Sequence, residues 1–250
     1  MRQSSTMRDL KKLDLYKIGM SKKTRFWELK YVFEWILALV AIILLSPLLI
    51  LIALLEKLQD GGDIFYITTR IGKSGRKFTI YKFRGMVKDA KPIITNDLKF
   101  ITLKNDPRVT RLGRILRLGF DELPQLFNIL KGDMCIIGPR PHLQWEIQMY
   151  NIREHKRLQV LPGITGLTQI LDGRSLHPRD NYELDVRYVE NSRWYTDLLI
   201  LIFTVPYSFG YLKFYRKFFK NYLENIPCQR ALDDMAGLIK KDFNKDNVFL

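Results

Sequence analysis

The segment FDELPQLFNILKGDMCIIGPRP, residues 120–141, places two adjacent carboxylates, Asp121 and Glu122, before an apolar stretch with helical spacing. Pro124 suits the first turn of a helix, because the amide hydrogen that proline lacks has no partner there. A helix N-terminus stabilises negative charge, so we expect Asp121 to stay ionised and a phosphate to bind beside it. An ionised carboxylate can coordinate Mg²⁺ or attack phosphorus to form an acyl phosphate.

The same two residues also have a purely structural interpretation. Asp121 can cap the helix that Pro124 opens, and Glu122 can be a first-turn acid that suits the helix dipole. In either case, helical spacing predicts packing for the apolar stripe of Leu123, Leu126, Phe127 and Leu130. The dyad of Asp121 and Glu122, taken alone, does not separate a catalytic site from a helix cap.

Phosphoryl chemistry needs cations that offset the charge developing on the phosphoryl oxygens. Arg140 is the most specific candidate, because Pro139 and Pro141 restrict the backbone around it and its planar guanidinium can bind two phosphate oxygens at once. The other candidate cations are Arg70, Lys82, Arg84, Arg108, Arg111, Arg114 and Arg117.

The composition favours anionic partners. The chain has 250 residues with 41 Lys and Arg against 26 Asp and Glu, a formal net charge of +15. Such a charge suits nucleic acid, an acidic membrane surface or a phosphorylated substrate, and no nucleic-acid-binding motif accompanies it. Cys135 and Cys228 indicate no disulfide framework, and together with the histidines they show no zinc-like spacing.

One apolar segment is long enough to cross a membrane. Residues 36–55 carry no charge, and as a straight helix they would measure ~30 Å, the thickness of the hydrocarbon layer. Ser46 and Pro47 lie at the midpoint, where proline removes a backbone donor and bends the helix. The Ser46 hydroxyl is a candidate for satisfying the carbonyl that loses its donor.

The flanking charges predict that both ends of this segment stay on one side of the membrane. Residues 1–30 carry nine Lys and Arg against three Asp and Glu, and residues 57–90 carry eight against three. Because positively charged flanks stay cytoplasmic, a re-entrant helix broken at Ser46-Pro47, which enters and leaves through one leaflet, satisfies both flanks. A straight spanning helix is the alternative.

The rest of the chain predicts short elements. Residues 63–86 predict a β-hairpin around a Gly-Lys-Ser-Gly turn. Residues 213–222 place aromatic and basic side chains on opposite faces of a helix, which is typical of a helix in the membrane interface; a core-facing helix is the alternative. Residues 106–117 predict an Asp-Pro turn and a basic helix whose apolar face carries Val109, Leu112, Ile115 and Leu116.

Several of these segments together resemble the ordered signatures of the bacterial sugar transferase family. They are KFRGM (82–86), DPRVTRLGRILR (106–117), the segment 120–141, PGITGLTQI (162–170) and LDVRYVEN (184–191). The resemblance runs from about residue 33 to residue 205. It makes the chain similar to the monotopic phosphoglycosyl transferases, which start glycan assembly on polyprenyl phosphate.

The resemblance implies a reaction and a site. Family members transfer a sugar-1-phosphate from a UDP-sugar to a polyprenyl phosphate such as undecaprenyl phosphate, and they release UMP. By analogy, Asp121 takes the phospho-sugar covalently and contacts Mg²⁺, and Glu122 supports it. The resemblance also implies supportive roles for Gln125, Pro139 and Asp185. The side chains expected to bind substrate phosphates or the nucleotide are Arg70, Lys82, Arg84, Arg111, Arg117 and Arg140.

The predicted fold is a mainly helical α+β protein that is membrane-associated and monotopic, with a re-entrant helix-break-helix, a short β-hairpin and interfacial amphipathic helices. We expect it in the bacterial inner (cytoplasmic) membrane, with the active site on the cytoplasmic face and with membrane lipids as further partners. The expected segments are a basic N-terminus (1–32), the re-entrant helix (33–58), a catalytic domain (59–205), an interfacial helix (206–227) and a tail (228–250).

The alternative function is a non-catalytic, membrane-tethered basic protein that binds nucleic acid or anionic lipid. That hypothesis leaves Asp121 and Glu122 unexplained, so the enzyme is preferred and nucleic acid is not an expected partner. The sequence leaves homo-oligomerisation open.

Overall fold

The computed structural model describes residues 24–90, 93–94, 100–101, 106–171 and 178–208. This part of the chain is mostly helical with short strands, and it begins with one long apolar helix. The predicted class, a mainly helical α+β protein, is confirmed. Most of the basic N-terminus, the predicted interfacial helix beyond residue 208 and the predicted tail lie outside the described residues, as do His177 and Cys228.

The helices in chain order are α1 Thr24–Asp60, α2 Arg111–Leu116, α3 Leu126–Leu130, α4 Gln144–Ile147, α5 Leu167–Ile170, α6 Pro178–Asn191 and α7 Trp194–Ser208. Three 3-10 helices cover Lys73–Gly75, Phe120–Gln125 and Glu154–Gln159. The strands are β1 Phe65–Ile71, β2 Lys77–Phe83, β3 Ile93–Ile94, β4 Phe100–Ile101, β5 Cys135–Ile137 and β6 Gly163–Thr165. β1 and β2 pair around the turn 72–76, which confirms the predicted hairpin. β3 pairs with β4 in antiparallel fashion.

The chain forms two compact units, each described by itself below. The dyad unit, named after Asp121 and Glu122, consists of residues 29–70 and 77–136. Of the described residues, the C-terminal unit takes 24–28, 71–76, 137–171 and 178–208. The predicted segment boundaries stay predictions, because contacts within the chain do not show where a membrane lies.

Helix α1 runs without interruption from Thr24 to Asp60, with Pro47 inside it. Among the described residues it is the one helix long and apolar enough to cross a membrane. Ser46 Oγ donates a hydrogen bond of 2.8 Å to the carbonyl of Ile43. Ile43 lies four residues before Pro47, so its carbonyl is the one that loses its helical donor to the proline. The predicted role of the Ser46 hydroxyl is confirmed, and the re-entrant path remains a prediction.

The second half of α1 belongs to the core of the dyad unit. Leu49 and Ile52 on α1 are buried together with Phe83 on β2 and Leu116 on α2. Phe120, at the start of the 3-10 helix that carries the dyad, packs against this cluster. Burial of apolar area at roughly 25 cal/mol per Å² holds these elements together. The apolar helix therefore also supports the elements that position Asp121.

Polar contacts attach the first half of α1 to the same unit. Trp35 Nε1 donates to the carbonyl of Leu130 at 3.1 Å. The buried carboxylate of Glu34 accepts from the amide of Ile136 at 2.9 Å and forms an ion pair with Lys30. Because a buried carboxylate needs such partners, these contacts fix this end of the helix against the unit.

The predicted Asp-Pro turn and basic helix of 106–117 are confirmed, and the helix is α2 at Arg111–Leu116. It begins after Thr110, whose hydroxyl caps it by accepting from the amide of Gly113 at 2.8 Å. Val109 and Leu116 are buried as predicted, but Ile115 is 57% exposed, so its place on the packed face was wrong. Successive residues of a helix point about 100° apart, and the face carrying Gly113 and Leu116 is the one that packs.

The same correction applies to the apolar stripe of α3. Leu126 and Ile129 are buried, but Phe127 is 41% exposed. In a helix of five residues, only one side can face the core. Phe127 lies about 100° around the helix from Leu126 and therefore reaches the surface.

The C-terminal unit is built around α6 and α7. Tyr188 on α6 is buried, and its hydroxyl donates to Asp197 on α7 at 2.6 Å. Ile200 and Phe203 on α7 are buried. The opposite face of α7 is apolar and exposed, and it carries Trp194, Tyr195, Leu198, Leu201, Ile202 and Val205.

Candidate active site

Asp121 and Glu122 lie in the first turn of the 3-10 helix Phe120–Gln125. Gly119 precedes this helix with a φ of 110°, a left-handed conformation that glycine adopts without the strain a side chain would add. Pro124 is buried inside the helix rather than opening it. The predicted capping role of Asp121 is therefore wrong: Gly119 occupies the cap position, and Asp121 lies within the first turn.

The carboxyl group of Asp121 is partly buried, and burial raises its pKa to about 6. The charge of Lys82 lowers this pKa, that of Glu122 raises it, and that of Arg117 lowers it. With a pKa near 6, the group is about nine-tenths ionised at pH 7. Asp121 is thus a largely ionised carboxylate in a poorly solvated position, which is typical of functional sites.

Glu122 forms an ion pair with Lys82, which lies on strand β2. The side chains of Lys82 and Glu122 are 21% and 27% exposed, so solvent reaches both. The pair joins the 3-10 helix to β2 and places a cation next to the dyad. The structure thus brings together three of the predicted site residues, Lys82, Asp121 and Glu122.

Arg84 lies near the end of β2 in a different environment. It forms ion pairs with Asp60 and, at 3.8 Å, with Glu56, both at the C-terminal end of α1. Its side chain is 10% exposed. A Cβ atom on Gly62 would lie 2.2 Å from Arg84 Nη1, so a side chain there would displace the Arg84 guanidinium from this position. Arg84 therefore joins α1 to β2, and its predicted contact with substrate phosphate remains a prediction.

Two glycines bring helix α2 against the end of β2. A Cβ atom on Gly113 would lie 2.0 Å from the carbonyl oxygen of Gly85, which no side chain can tolerate. The amide of Thr110 donates to that same oxygen at 3.2 Å. This close approach positions the arginines of α2 relative to β2, which carries Lys82.

The remaining cations of the dyad unit differ in exposure. Arg111 and Arg117 are exposed, and Arg70 is partly buried. Arg117 is near enough to Asp121 to lower its pKa. Arg108 pairs with the buried Asp106, with 2.8 Å between Nε and Oδ1. Arg111 and Arg117 therefore present their charge at the surface, where an anionic substrate can reach it.

Sequence reasoning missed one structural residue of this unit, Asn128 on α3. It is fully buried, and its side-chain amide donates to the carbonyl of Thr79 on β2 at 2.6 Å. Its oxygen accepts from the amide of Tyr81 at 3.4 Å. Asn128 thus ties α3 to the strand that carries Lys82. Its sequence signal is a polar residue inside an apolar stripe.

In the C-terminal unit, the residues Pro139, Arg140 and Pro141 follow β5. Pro139 is buried and Arg140 is exposed. The amide of Gly163 donates to the carbonyl of Pro139 at 3.0 Å, and the amide of Gly138 donates to Thr165 on β6 at 2.9 Å. Backbone contacts thus hold this segment while the Arg140 side chain faces solvent.

Asp185 on α6 is buried and forms an ion pair with Arg157, which sequence reasoning missed. Burial lowers the pKa of Arg157, but the charge and hydrogen bonds of Asp185 together with Tyr150 and Tyr182 raise it above its ordinary value. Arg157 also donates to the carbonyl of Arg140 at 3.2 Å. Thr168 donates to the second oxygen of Asp185 at 3.0 Å. Arg157 lies in the polar run REHKRLQ, where nothing in the sequence distinguishes it from its neighbours.

Two further predicted residues have no side-chain role visible in the geometry. Gln125 is buried at the end of the 3-10 helix, and Pro139 is buried after β5. Within the described ranges, no three His, Cys, Asp or Glu residues cluster so as to hold a metal ion by themselves. The functional roles predicted for the site residues remain predictions.

Comparison with known proteins shows what the chain resembles. Residues 25–210 match the model of the bacterial sugar transferase family. The chain is 36% identical over 200 residues to the exopolysaccharide production protein ExoY of Rhizobium meliloti (strain 1021), which covers 75% of this chain and 85% of that protein.

Two longer relatives carry more specific names. One is an undecaprenyl-phosphate galactose phosphotransferase of Salmonella typhimurium, 37% identical over 73% of this chain and 40% of that protein. The other is a UDP-N-acetylgalactosamine-undecaprenyl-phosphate N-acetylgalactosaminephosphotransferase of Aeromonas hydrophila, 38% identical over 67% of this chain and 40% of that protein. The chain thus corresponds to most of the first relative and to about two fifths of the other two.

Proposed function

The chain belongs to the bacterial sugar transferase family and is a phosphoglycosyl transferase, and we propose that it transfers a sugar-1-phosphate from a UDP-sugar to a polyprenyl phosphate such as undecaprenyl phosphate. The observation that carries this proposal is the partly buried Asp121 carboxylate beside the ion pair of Lys82 and Glu122. The names of the relatives from Salmonella and Aeromonas support the two substrate classes. ExoY supports a place in exopolysaccharide production.

The proposed reaction has two displacements at one phosphorus atom. In the first, a carboxylate oxygen of Asp121 attacks the phosphorus that bears the sugar, the bond from that phosphorus to the oxygen shared with the uridine-bearing phosphate breaks, and UMP leaves. In the second, an oxygen of the polyprenyl phosphate attacks the same phosphorus. The bond to Asp121 breaks, the carboxylate is restored, and the product is polyprenyl-diphospho-sugar.

Lys82 and Glu122 support this chemistry through charge. The ammonium of Lys82 helps keep Asp121 ionised and offsets negative charge on the phosphoryl group. Glu122 holds Lys82 in place through their ion pair. A second route is a ternary complex, in which Glu122 activates the lipid phosphate directly and no covalent intermediate forms. A phospho-sugar trapped on Asp121 would separate the two routes.

The exposed arginines are the proposed phosphate and nucleotide contacts. Arg111 and Arg117 present their guanidinium groups at the surface of the dyad unit, and Arg140 presents its own in the C-terminal unit. A guanidinium group can bind two phosphate oxygens with parallel hydrogen bonds. Arg70 and Arg84 are proposed with them, although the ion pairs of Arg84 also give it a structural role.

Asp121 is the proposed protein ligand of Mg²⁺. Mg²⁺ usually takes one or two protein carboxylates and fills its other positions with substrate phosphates and water. A partly buried, largely ionised Asp121 fits that donor set. When bound, the ion supplies positive charge at the phosphate oxygens.

The membrane arrangement is proposed from α1 and α7. We place α1 in the bacterial inner membrane as a re-entrant helix over residues 33–58, with both flanks on the cytoplasmic side. The hydrogen bond from Ser46 to the Ile43 carbonyl supports this, because it satisfies the group that Pro47 leaves unpaired inside lipid. The exposed apolar face of α7 supports contact of the catalytic domain with the membrane interface.

The test is a UMP-release assay on the purified protein with polyprenyl phosphate, Mg²⁺ and a panel of UDP-sugars. We expect release with at least one sugar, loss of activity in EDTA, and its return when Mg²⁺ is restored. Asp121→Asn should abolish release, whereas Asp63→Asn, the same change at an exposed aspartate outside the dyad, should not. Full turnover by Asp121→Asn would reject Asp121 as the nucleophile.

Mass spectrometry of the protein incubated with UDP-sugar alone tests the covalent route. We expect a phospho-sugar adduct on the peptide that contains Asp121, and none in Asp121→Asn. UMP release that needs both substrates together, without an adduct, would favour the ternary-complex route and leave the overall reaction intact.

A further inference from the structure

Arg157 is a buried cation to which the proposed reaction gives no role. We propose that Arg157 is a positioning residue for Arg140: it fixes the backbone carbonyl of Arg140 and thereby the direction in which the Arg140 side chain leaves the backbone. This inference rests on the proposed function, because it assumes that Arg140 binds the donor. It also gives Asp185, which pairs with Arg157, a role in the C-terminal unit.

The segment between Pro139 and His142 is held by its carbonyl groups. Pro139 and Pro141 have no amide hydrogen, so this segment has few donors of its own. The carbonyl of Pro139 accepts from the amide of Gly163 at 3.0 Å, and that of His142 accepts from the amide of Ile71 at 2.9 Å. The carbonyl between them, that of Arg140, accepts from Arg157 Nη2 at 3.2 Å.

The contact that holds the Arg140 carbonyl differs in kind from the contacts that hold the carbonyls of Pro139 and His142. Backbone amides of other segments hold Pro139 and His142, whereas a side chain holds Arg140. The proline rings fix φ of Pro139 and of Pro141. The backbone rotation that remains is about the φ and ψ bonds of Arg140 itself. The hydrogen bond from Arg157 to the Arg140 carbonyl limits that rotation. The exposed Arg140 side chain therefore leaves the backbone in one direction.

Arg157 is itself held rigidly enough for this role. Its side chain is 2% exposed, and Nε donates to Asp185 Oδ2 at 3.0 Å. Its guanidinium carbon lies 5.2 Å from the centre of the Tyr150 ring and 5.1 Å from that of Tyr182. Burying a guanidinium group is costly, and one whose hydrogen bonds are all made has little freedom to move. Such rigidity suits a positioning residue.

The competing explanation is that Arg157 only joins the 3-10 helix Glu154–Gln159 to α6. Arg153 provides a matched control, because it precedes the same 3-10 helix and pairs with Glu183 at 3.1 Å and Glu190 at 2.9 Å on α6. Its side chain is 47% exposed. Both arginines bind α6, but Arg157 also reaches the Arg140 carbonyl.

The experiment is a double-mutant cycle between Arg157 and Arg140, read as kcat and KM for the UDP-sugar. We expect Arg157→Gln to lower kcat/KM about 10- to 100-fold, the size expected when a binding group is displaced by about 1 Å, with most of the loss in KM. In the Arg140→Ala background, Arg157→Gln should cost less than about twofold more, because the residue it positions is absent. Equal losses in both backgrounds would overturn the proposal.

Arg157→Lys keeps the cycle informative if Arg157→Gln fails to fold. Lysine keeps a positive charge beside Asp185, but its single ammonium group cannot reproduce the guanidinium contacts to both Asp185 and the Arg140 carbonyl. We expect a Tm within a few degrees of the wild type and a raised KM that Arg140→Ala again removes. Arg153→Gln should stay within about twofold of the wild-type kcat/KM.

The outcomes separate this inference from the function it rests on. If the wild type releases no UMP from any UDP-sugar, the proposed function fails. If the wild type is active and Arg140→Ala is fully active too, or if Arg157→Lys keeps the wild-type KM, the function stands and the positioning role of Arg157 fails.

Discussion

Lys82 and Glu122, forty residues apart in the chain, form an ion pair that places one charge of each sign beside Asp121. The two charges act on the same carboxyl group in opposite directions: Lys82 lowers the pKa of Asp121 and Glu122 raises it. Burial has a larger effect than either charge, and the pKa of Asp121 is raised to about 6. The ionisation of Asp121 is thus set by the packing of the 3-10 helix on β2.

The pH dependence of the reaction should report this balance. A protonated carboxyl group is a poor nucleophile, so kcat/KM for the UDP-sugar should fall below about pH 6, by tenfold for each further pH unit. Lys82→Met removes a charge that lowers the pKa, so its acid limb should move to higher pH. Glu122→Gln removes a charge that raises the pKa, so its acid limb should move to lower pH.

The control for these two variants is Lys77→Met, an exposed lysine at the start of the same strand. Its acid limb should coincide with that of the wild type. If neither Lys82→Met nor Glu122→Gln moves the limb, the group that titrates near pH 6 in kcat/KM is not Asp121.

Membrane topology should place both ends of α1 on the cytoplasmic side. Glu28 and Gln59 are exposed at the two ends of the helix. Single cysteines at these positions, with Cys135 and Cys228 replaced by serine, should react with a membrane-impermeant thiol reagent from the same side. A result with the two positions on opposite sides would establish a straight spanning helix in place of the re-entrant one.

Gly113→Ala should destabilise the dyad unit, although Gly113 lies in helix α2, where alanine is normally the more favourable residue. Helix propensity favours alanine over glycine by about 1 kcal/mol. The new Cβ atom, however, would lie 2.0 Å from the Gly85 carbonyl oxygen, and overpacking of this kind costs about 1–3 kcal/mol or more. We therefore expect a lower Tm in detergent, by roughly 2–10 °C.

Gly85→Ala is the matched variant for this contact. Its Cβ atom would lie 3.4 Å from Gly113 Cα, a close contact that a small shift relieves. Its Tm should fall less than that of Gly113→Ala. The reverse order would show that α2 does not approach β2 at Gly113 as described.

Arg84→Met should lower the free energy of unfolding and have little effect on KM for the UDP-sugar. The substitution removes the cation that faces the fully buried Glu56, and a buried polar group left without a partner costs about 1–3 kcal/mol. The free energy of unfolding should fall by that order, while Arg76→Met, at an exposed position in the hairpin turn, should leave it unchanged. A raised KM for the UDP-sugar with unchanged stability would instead assign Arg84 to phosphate binding.

The motif around Asp121 and Glu122 and the long apolar segment could be recognised from the sequence. Asp121 and Glu122 are neighbours in the chain, and their motif occurs in order with four others. The apolar length of α1 and the position of Ser46 before Pro47 are also local properties. The bond from Ser46 to the Ile43 carbonyl follows from helix geometry alone, because both residues lie on one turn.

The partners of the charged residues were decided by the tertiary structure. The sequence contains many arginines and lysines that look alike, and hydrophobic periodicity does not record which carboxylate each one meets. Folding brings Lys82 to Glu122, Arg84 to Glu56 and Asp60, and Arg157 to Asp185. These contacts join residues 24 to 40 positions apart. A charge takes its role from its burial and its neighbours in space, and both exist only after the elements have packed.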